Sequence, residues 1–461
     1  MNQDIVRSTF KNICHLAQNK NVEVELLIEG RDSFSATYRK SELEKFNSIA
    51  SAVAGFRVLF QGSTGYAFTE KLESESLLRT YEIAFENAQF LGQGKGKNQG
   101  QDKAQDKTYH LVPPGIYEKM DFLFNSDLET HSIEEKLEVA KILESEALAV
   151  DARVKTVSYS GFSHSKGWTW ILNSQGIDAQ YETNGISGYA YSLVKEGEQS
   201  KEQGESKWTR HWEELEPKKI AQLSAHRALE LLGAKSIPSG TYTVLFENDV
   251  AAKLFELVTH YFSAKEVFNK TSWLTGKLNQ PLFSSELTLM DDPYYSLGSN
   301  SRPFDSEGSP SQKTILIEQG IVSYWLANSE YAAKMNIHNT SHASRSPTSE
   351  LSIAPSNLVV KKGPFAFEDL LKKDETIIFI NSMKGFHAGV KLATGDFSIQ
   401  SSGFLYRSGK KVHPIEEIVV SGHLVETFKN IEGLSDRYAD SASSVFVPDI
   451  LVKGVSIAGK G

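Results

Sequence analysis

Cysteine, long apolar runs and net positive charge are all scarce in this chain, and each shortage removes a class of answers. Cys14 is the only cysteine in 461 residues, so no intrachain disulfide can form and a reducing compartment is expected. It lies beside a helical stripe of Val6, Phe10, Ile13 and Ala17, where a small core residue is expected rather than a thiol nucleophile. No apolar stretch nears the roughly 20 residues that a membrane-crossing helix needs. The opening MNQDIVRSTF lacks the charged-then-apolar layout of a secretory signal. A formal net charge of −9 opposes binding to phosphates, because affinity for nucleic acid rests on Lys and Arg. The expectation is a cytoplasmic chain that engages neither membrane nor nucleic acid.

What is present reads as a mixture of helices and antiparallel strands. A helix capped by Asn2 precedes alternating stretches from Val22 and Phe56, with a hairpin turn at Gly62 and Gly65. Helices come next over about 74–90 and 133–149, then strands rich in Val, Tyr and Trp over 154–191 and an exposed polar hairpin or loop from Lys195. Residues 92–107, GQGKGKNQGQDKAQDK, hold nothing to bury and predict a flexible surface insertion. A helix over 217–232 starts on Pro217 and stops before Gly233, as helix ends prefer. The segment 236–240 then marks a boundary, which sets a first domain at 1–235 and a strand-rich second at 236–461. Without a regular βαβ rhythm, the class is α+β with two domains.

Chemistry-bearing residues are few. In the helix NDVAAKLFELVTHYFS, Val250, Leu254, Leu257 and Tyr261 form the expected buried stripe, and Lys253, Glu256 and His260 share another face. Asp291, Asp292, Asp305 and Glu307 crowd a stretch of prolines and glycines, where turns at an exposed working surface are expected; the carboxylates could favour a basic substrate or partner, and Asx-type bonds that pin the turns are the favoured reading. His338 and His342 stand four apart in a loop-like run, so they make a poor ligand pair. Ser163, His164 and Ser165 are neighbours along a strand, and adjacent strand residues point to opposite faces. No Walker loop and no Gly-x-Ser-x-Gly elbow occurs.

Four landmarks together are specific: DDP at Asp291, PFDSEG at Pro303, SNL at Ser356 and TGDFS at Thr394. They resemble the TldD/PmbA family, once called modulators of DNA gyrase and described as peptide-processing proteins. The resemblance implies that the TldD branch carries HExxxH on the helix above, two histidines for zinc and a glutamate that takes a proton from the metal-bound water, with a further cysteine ligand near the C-terminus. Here Phe255 stands in the first histidine's place, followed by Glu256 and His260, and the tail has no cysteine. The run KGFHAGVKLATGDFS resembles the PmbA (TldE) branch, with His387 between Gly385 and Gly389. The resemblance therefore implies a PmbA/TldE-like subunit that binds no metal itself, paired with a zinc-bearing TldD-like relative or with itself and acting on extended peptides. Glu256, His260 and His387 are its candidate peptide contacts, beside the plainer readings of an exposed helix pair for Glu256 and His260 and a satisfied turn residue for His387. The alternatives are a self-sufficient homodimeric peptidase and a non-enzymatic peptide- or protein-binding module. Relatives commonly have glycine where this chain has Ser341, so a changed loop backbone is expected there.

Overall fold

The computed structural model describes residues 2–95 and 109–460. Helix α1 (Gln3–Gln18) is capped by Asn2, whose side chain accepts from Asp4 N (3.1 Å) and Ile5 N (3.3 Å), and it buries Val6, Phe10, Ile13 and Ala17. Burial pushes the Cys14 thiol up to about 11, as befits a packing residue rather than a nucleophile. Long antiparallel strands come next: β1 (Glu23–Arg39), β2 (Glu42–Phe60) and β3 (Ser63–Thr69), then β4 (Val154–Asn173), β5 (Asp178–Glu196) and β6 (Gln199–Thr209). They form a six-stranded sheet in the order β3-β2-β1-β4-β5-β6, which leaves β6 at an edge.

Because side chains alternate along a strand, one face of this sheet takes two helical layers. Val24, Leu26 and Ile28 of β1 pack with α1 and with α2 (Ser74–Lys95), while Phe34 and Ala36 pack against α3 (Ile133–Leu148) and α4 (Pro217–Leu229). Helix α2 runs to Lys95, so the expected insertion starts later than Gly92, and the rest of it lies outside the described residues. Helix α4 ends three residues before Leu232, because the chain turns there through Gly233 at φ 77°.

Strand β7 (Gly240–Phe246) opens a second sheet. It lies parallel to 376–384 on one side and antiparallel to 450–458 on the other, and the path continues through 410–423 and 396–407. Since 376–384 also pairs with 396–407, these strands close into a ring. Helix α5 (Asn248–Thr259) comes after β7 and packs into the core that the ring's Val244, Ile378, Ile380, Val420 and Val452 build.

The carboxylate-rich stretch is not an exposed loop. Asp291, Asp305 and Glu307 are at most 2% exposed. Asp305 accepts from the backbone N–H groups of Glu307 (3.0 Å), Ser309 (2.9 Å) and Ala343 (3.0 Å), so its carboxylate replaces the partners that a buried loop would otherwise lack. Asp291 accepts from Ser356 N and Ser356 Oγ, both at 2.6 Å, and pairs with His342 Nε2 at 2.9 Å. Glu307 joins the two halves of the molecule. It meets Arg57 of β2 (2.7 Å), Arg57 meets Glu25 of β1 (3.1 Å), and Glu25 meets Arg345 (2.8 Å), with every side chain fully buried. Ser341 also departs from expectation, because it keeps φ 60° despite its Cβ, with Asn339 Oδ1 accepting from its N–H at 3.0 Å.

Candidate functional site

Asn248 starts α5. Its backbone N–H donates to Asp449 Oδ1 (3.1 Å), and its side-chain oxygen accepts from Asp249 N (2.9 Å). Val250, Ala251, Leu254, Phe255 and Val258 then recur at helical spacing and are buried. The expected stripe needs one correction: Leu257 is only partly buried, and Phe255 is buried in full. The cause is Phe428, which packs on that side with its ring centroid 4.4 Å from that of Phe255. Lys253, Glu256 and His260 point outward and are exposed.

Beside this outward face lies a cleft of about 590 Å³. One wall is the edge of the first sheet, with Tyr191, Glu202, Gly204 and Ser206. The other holds Asp249, Lys253 and Glu256 of α5, together with Asn381, Lys384 and the segment 441–445. Arg227 of α4 ties the two walls, since its Nε meets Glu205 of β6 (3.1 Å) and its Nη2 meets Glu247, just before α5 (3.1 Å). Burial pushes the Glu247 carboxyl up to about 7, against the pull of Arg227. Burial raises Glu205 as well, again opposed by Arg227.

Of the candidate peptide contacts, Glu256 lines this cleft, and His260 and His387 do not. His260 opens the short 3₁₀ turn after α5, its ring 6.0 Å from that of Tyr261. His387 is exposed in the one-turn helix Phe386–Gly389, entered through Gly385 at φ 85°. His342 is buried on Asp291 and Thr340, whereas exposed His338 lies 3.3 Å from Gln312, so the two form no ligand pair. His164 faces Glu129 (3.2 Å), while Ser163 bonds Ser187 across the sheet (2.8 Å). Among the described residues, no three His, Cys, Asp or Glu side chains gather as a metal-binding group.

The first half's share of the cleft escaped sequence reasoning, because Tyr191, Glu205 and Arg227 meet α5 only through the tertiary fold. A partial signal existed. Tyr189 and Tyr191 stand two apart in a strand, so they share a face.

Three family profiles cover most of the chain: the PmbA/TldA metallopeptidase domain 1 over residues 24–88, its central domain over 126–232 and its C-terminal domain over 239–459. The chain belongs to the PmbA/TldD family. It is 24% identical over 455 residues to the Metalloprotease PmbA of Escherichia coli O157:H7, covering 98% of this chain and 96% of the relative. It is 22% identical over 453 residues to the Metalloprotease PmbA homolog of Buchnera aphidicola, with the same coverage of 98% and 96%. Among solved structures it is similar to a Thermotoga maritima protein described as a candidate modulator of a DNA gyrase, at TM-score 0.88 and 26% identity over 98% of this chain and 100% of that one. TldE from Thermococcus kodakarensis matches at TM-score 0.87 and 20% identity, again over 98% and 100%, and shows the fold alone.

The family implies zinc on α5, and the residues found there do not fit it. A catalytic zinc wants about three protein ligands and an open position. Phe255 has no lone pair to give and is enclosed by the core, and of the HExxxH histidines only His260 is present.

Proposed function

We propose that this chain is the PmbA/TldE-like subunit of a cytoplasmic peptide-processing assembly and carries no catalytic zinc of its own. Zinc resides on a TldD-like relative, and this subunit holds an extended peptide in the cleft beside Glu256. The observation that carries the reading is Phe255: the place of the first metal ligand in the TldD branch is spent on core packing against Phe428. A second support is the cleft itself, which has β6 at its rim. An edge strand can bind extended chains of many sequences through backbone hydrogen bonds, with side-chain pockets adding selectivity.

The test is reconstitution. The purified chain is assayed on unstructured peptides alone and after mixing with a relative that bears both histidines and the late cysteine, with metal content measured in each case. Expected are no stoichiometric zinc and no hydrolysis from the isolated chain, and chelator-sensitive hydrolysis from the mixture. Chelator-sensitive hydrolysis by the isolated chain overturns the proposal in favour of a self-sufficient homodimeric peptidase. Peptide binding with no activity even in the mixture favours a non-enzymatic binding module.

A further inference from the structure

We infer that Tyr159, Tyr189 and Tyr191 form a stacking subsite for an aromatic or large apolar side chain of the bound peptide, an inference that rests on the peptide-holding reading of the cleft. Strand register puts the three rings on one face. Tyr159 of β4 sits opposite Tyr191 of β5, and Tyr189 sits opposite Gly161 on one side and Ser206 on the other. The alternate residues of β5 face the other way, where Ala190 enters the core under α3 and Ser192 bonds Ser224 of α4 at 2.7 Å. The tyrosines therefore look away from the helices; of the three, Tyr191 lines the cleft, and Tyr159 and Tyr189 adjoin it along the sheet.

Two glycines set the rings in place. A Cβ at Gly204 would lie 2.3 Å from Tyr191 Cε1, and one at Gly161 would lie 2.9 Å from Tyr189 Oη. Covering glycines is a common task for aromatics on a sheet, and it accounts for the inner surfaces of these rings. It leaves the outer surfaces unexplained, since Tyr159 remains 68% exposed and Tyr191 42% exposed. The rings meet edge to face, with centroids 6.4 Å apart for Tyr159 and Tyr191 and 6.5 Å for Tyr189 and Tyr191. That arrangement leaves ring faces open to a further aromatic partner.

Charge selects the occupant. Apart from Arg227 and its two carboxylates, the lining carries Glu202, Asp249 and Glu256 against Lys253 and Lys384. Such a mixture complements a neutral or mixed-charge extended chain and opposes a polyanion, so the exposed rings are matched to peptide side chains rather than to nucleobases.

The experiment uses the full chain and labelled, unstructured peptides that differ at one central residue, Phe, Lys or Ala, titrated by fluorescence anisotropy. Wild type is expected to bind the Phe peptide roughly threefold to tenfold more tightly than the Ala peptide. Tyr159→Ala with Tyr191→Ala should erase that preference, bringing the Kd of the Phe peptide to that of the Ala peptide. Urea midpoints of the single variants check that the sheet stays intact. A Phe preference that survives the double variant overturns the inference, as does a Lys preference that the variant removes. Failure of wild type to bind any of the peptides overturns the underlying cleft reading instead, so the two failures are distinguishable.

Discussion

Replacing Arg57 by methionine removes one member of a fully buried charge chain and keeps most of the side chain's volume. Burial opposes the charge on Arg57, and Glu25 and Glu307 sustain it. In the variant Glu25 keeps Arg345, but Glu307 is left with Ser329, whose N–H donates at 3.0 Å and whose hydroxyl also contacts it. Removing one partner of a buried pair costs about 3–5 kcal/mol, chiefly because the other charge stays behind without its counterion. Arg7 on Asp178 is the control, an ion pair at 2.7 Å whose side chains are 40% and 42% exposed, for which a loss of at most about 1 kcal/mol is expected. Urea unfolding, followed by far-UV circular dichroism and by tryptophan fluorescence, gives the midpoints. Adding Glu307→Leu should recover part of the loss. If Arg57→Met costs no more than Arg7→Met, the reasoning about the buried charges is wrong.

Phe255→Ala should cost about 3–5 kcal/mol, as for other fully buried phenylalanines, read from the same urea curves; a loss under about 1 kcal/mol would contradict its place in the core. Phe255→His should bind no stoichiometric zinc by elemental analysis, and a one-to-one complex would refute the proposal for α5. The Glu247 carboxyl is raised to about 7 in the folded chain, so the folded state holds its proton more tightly than the unfolded state does. The stability it contributes is full below about pH 4.5 and is lost as pH rises through about 7, an effect of roughly 3 kcal/mol. Glu247→Gln should flatten stability over that window, and an unchanged pH profile would refute the shift. Cys14, its thiol raised to about 11, should react slowly with a disulfide reagent at pH 8 and quickly once urea unfolds the chain; fast reaction of the folded protein would count against its burial.

Much of the local structure was legible in the sequence, because it rests on short-range periodicity. The α1 stripe, the hairpin before Ser63 and the Pro217 helix start all derive from residue spacing and cap chemistry. The fate of the carboxylates was legible in part: the expected Asx-type bonds occur at Asp292 and Asp305, whereas their burial was not foreseen. Prolines and glycines predict turns correctly, but a turn is exposed only if nothing else satisfies its backbone, and Asp305 does so for three N–H groups. Ser341 shows the same limit, since a local preference against φ > 0 yields to contacts with Asn339 and the packed loop. The cleft was half legible. Glu256 was found on the outward face of α5, yet the wall it faces comes from residues 191–206 and depends on long-range packing.

Helix geometry then explains why α5 divides as it does. Positions 255 and 260 are five residues apart, so on an ideal helix their side chains diverge by about 140°. Two ligands at those positions can converge only if the helix ends or bends between them, and α5 does pass into a 3₁₀ turn at His260. The backbone feature that suits a metal pair is therefore present, while Phe255 turns its side chain into the core, where it packs against Phe428. A histidine at position 255 alone would place an imidazole in an apolar enclosure beside Phe428, with burial opposing any charge. Metal binding by this chain would thus require repacking around Phe428 and a further ligand from the tail. Glu256 is under no such constraint, because it points outward from α5 and lines the cleft.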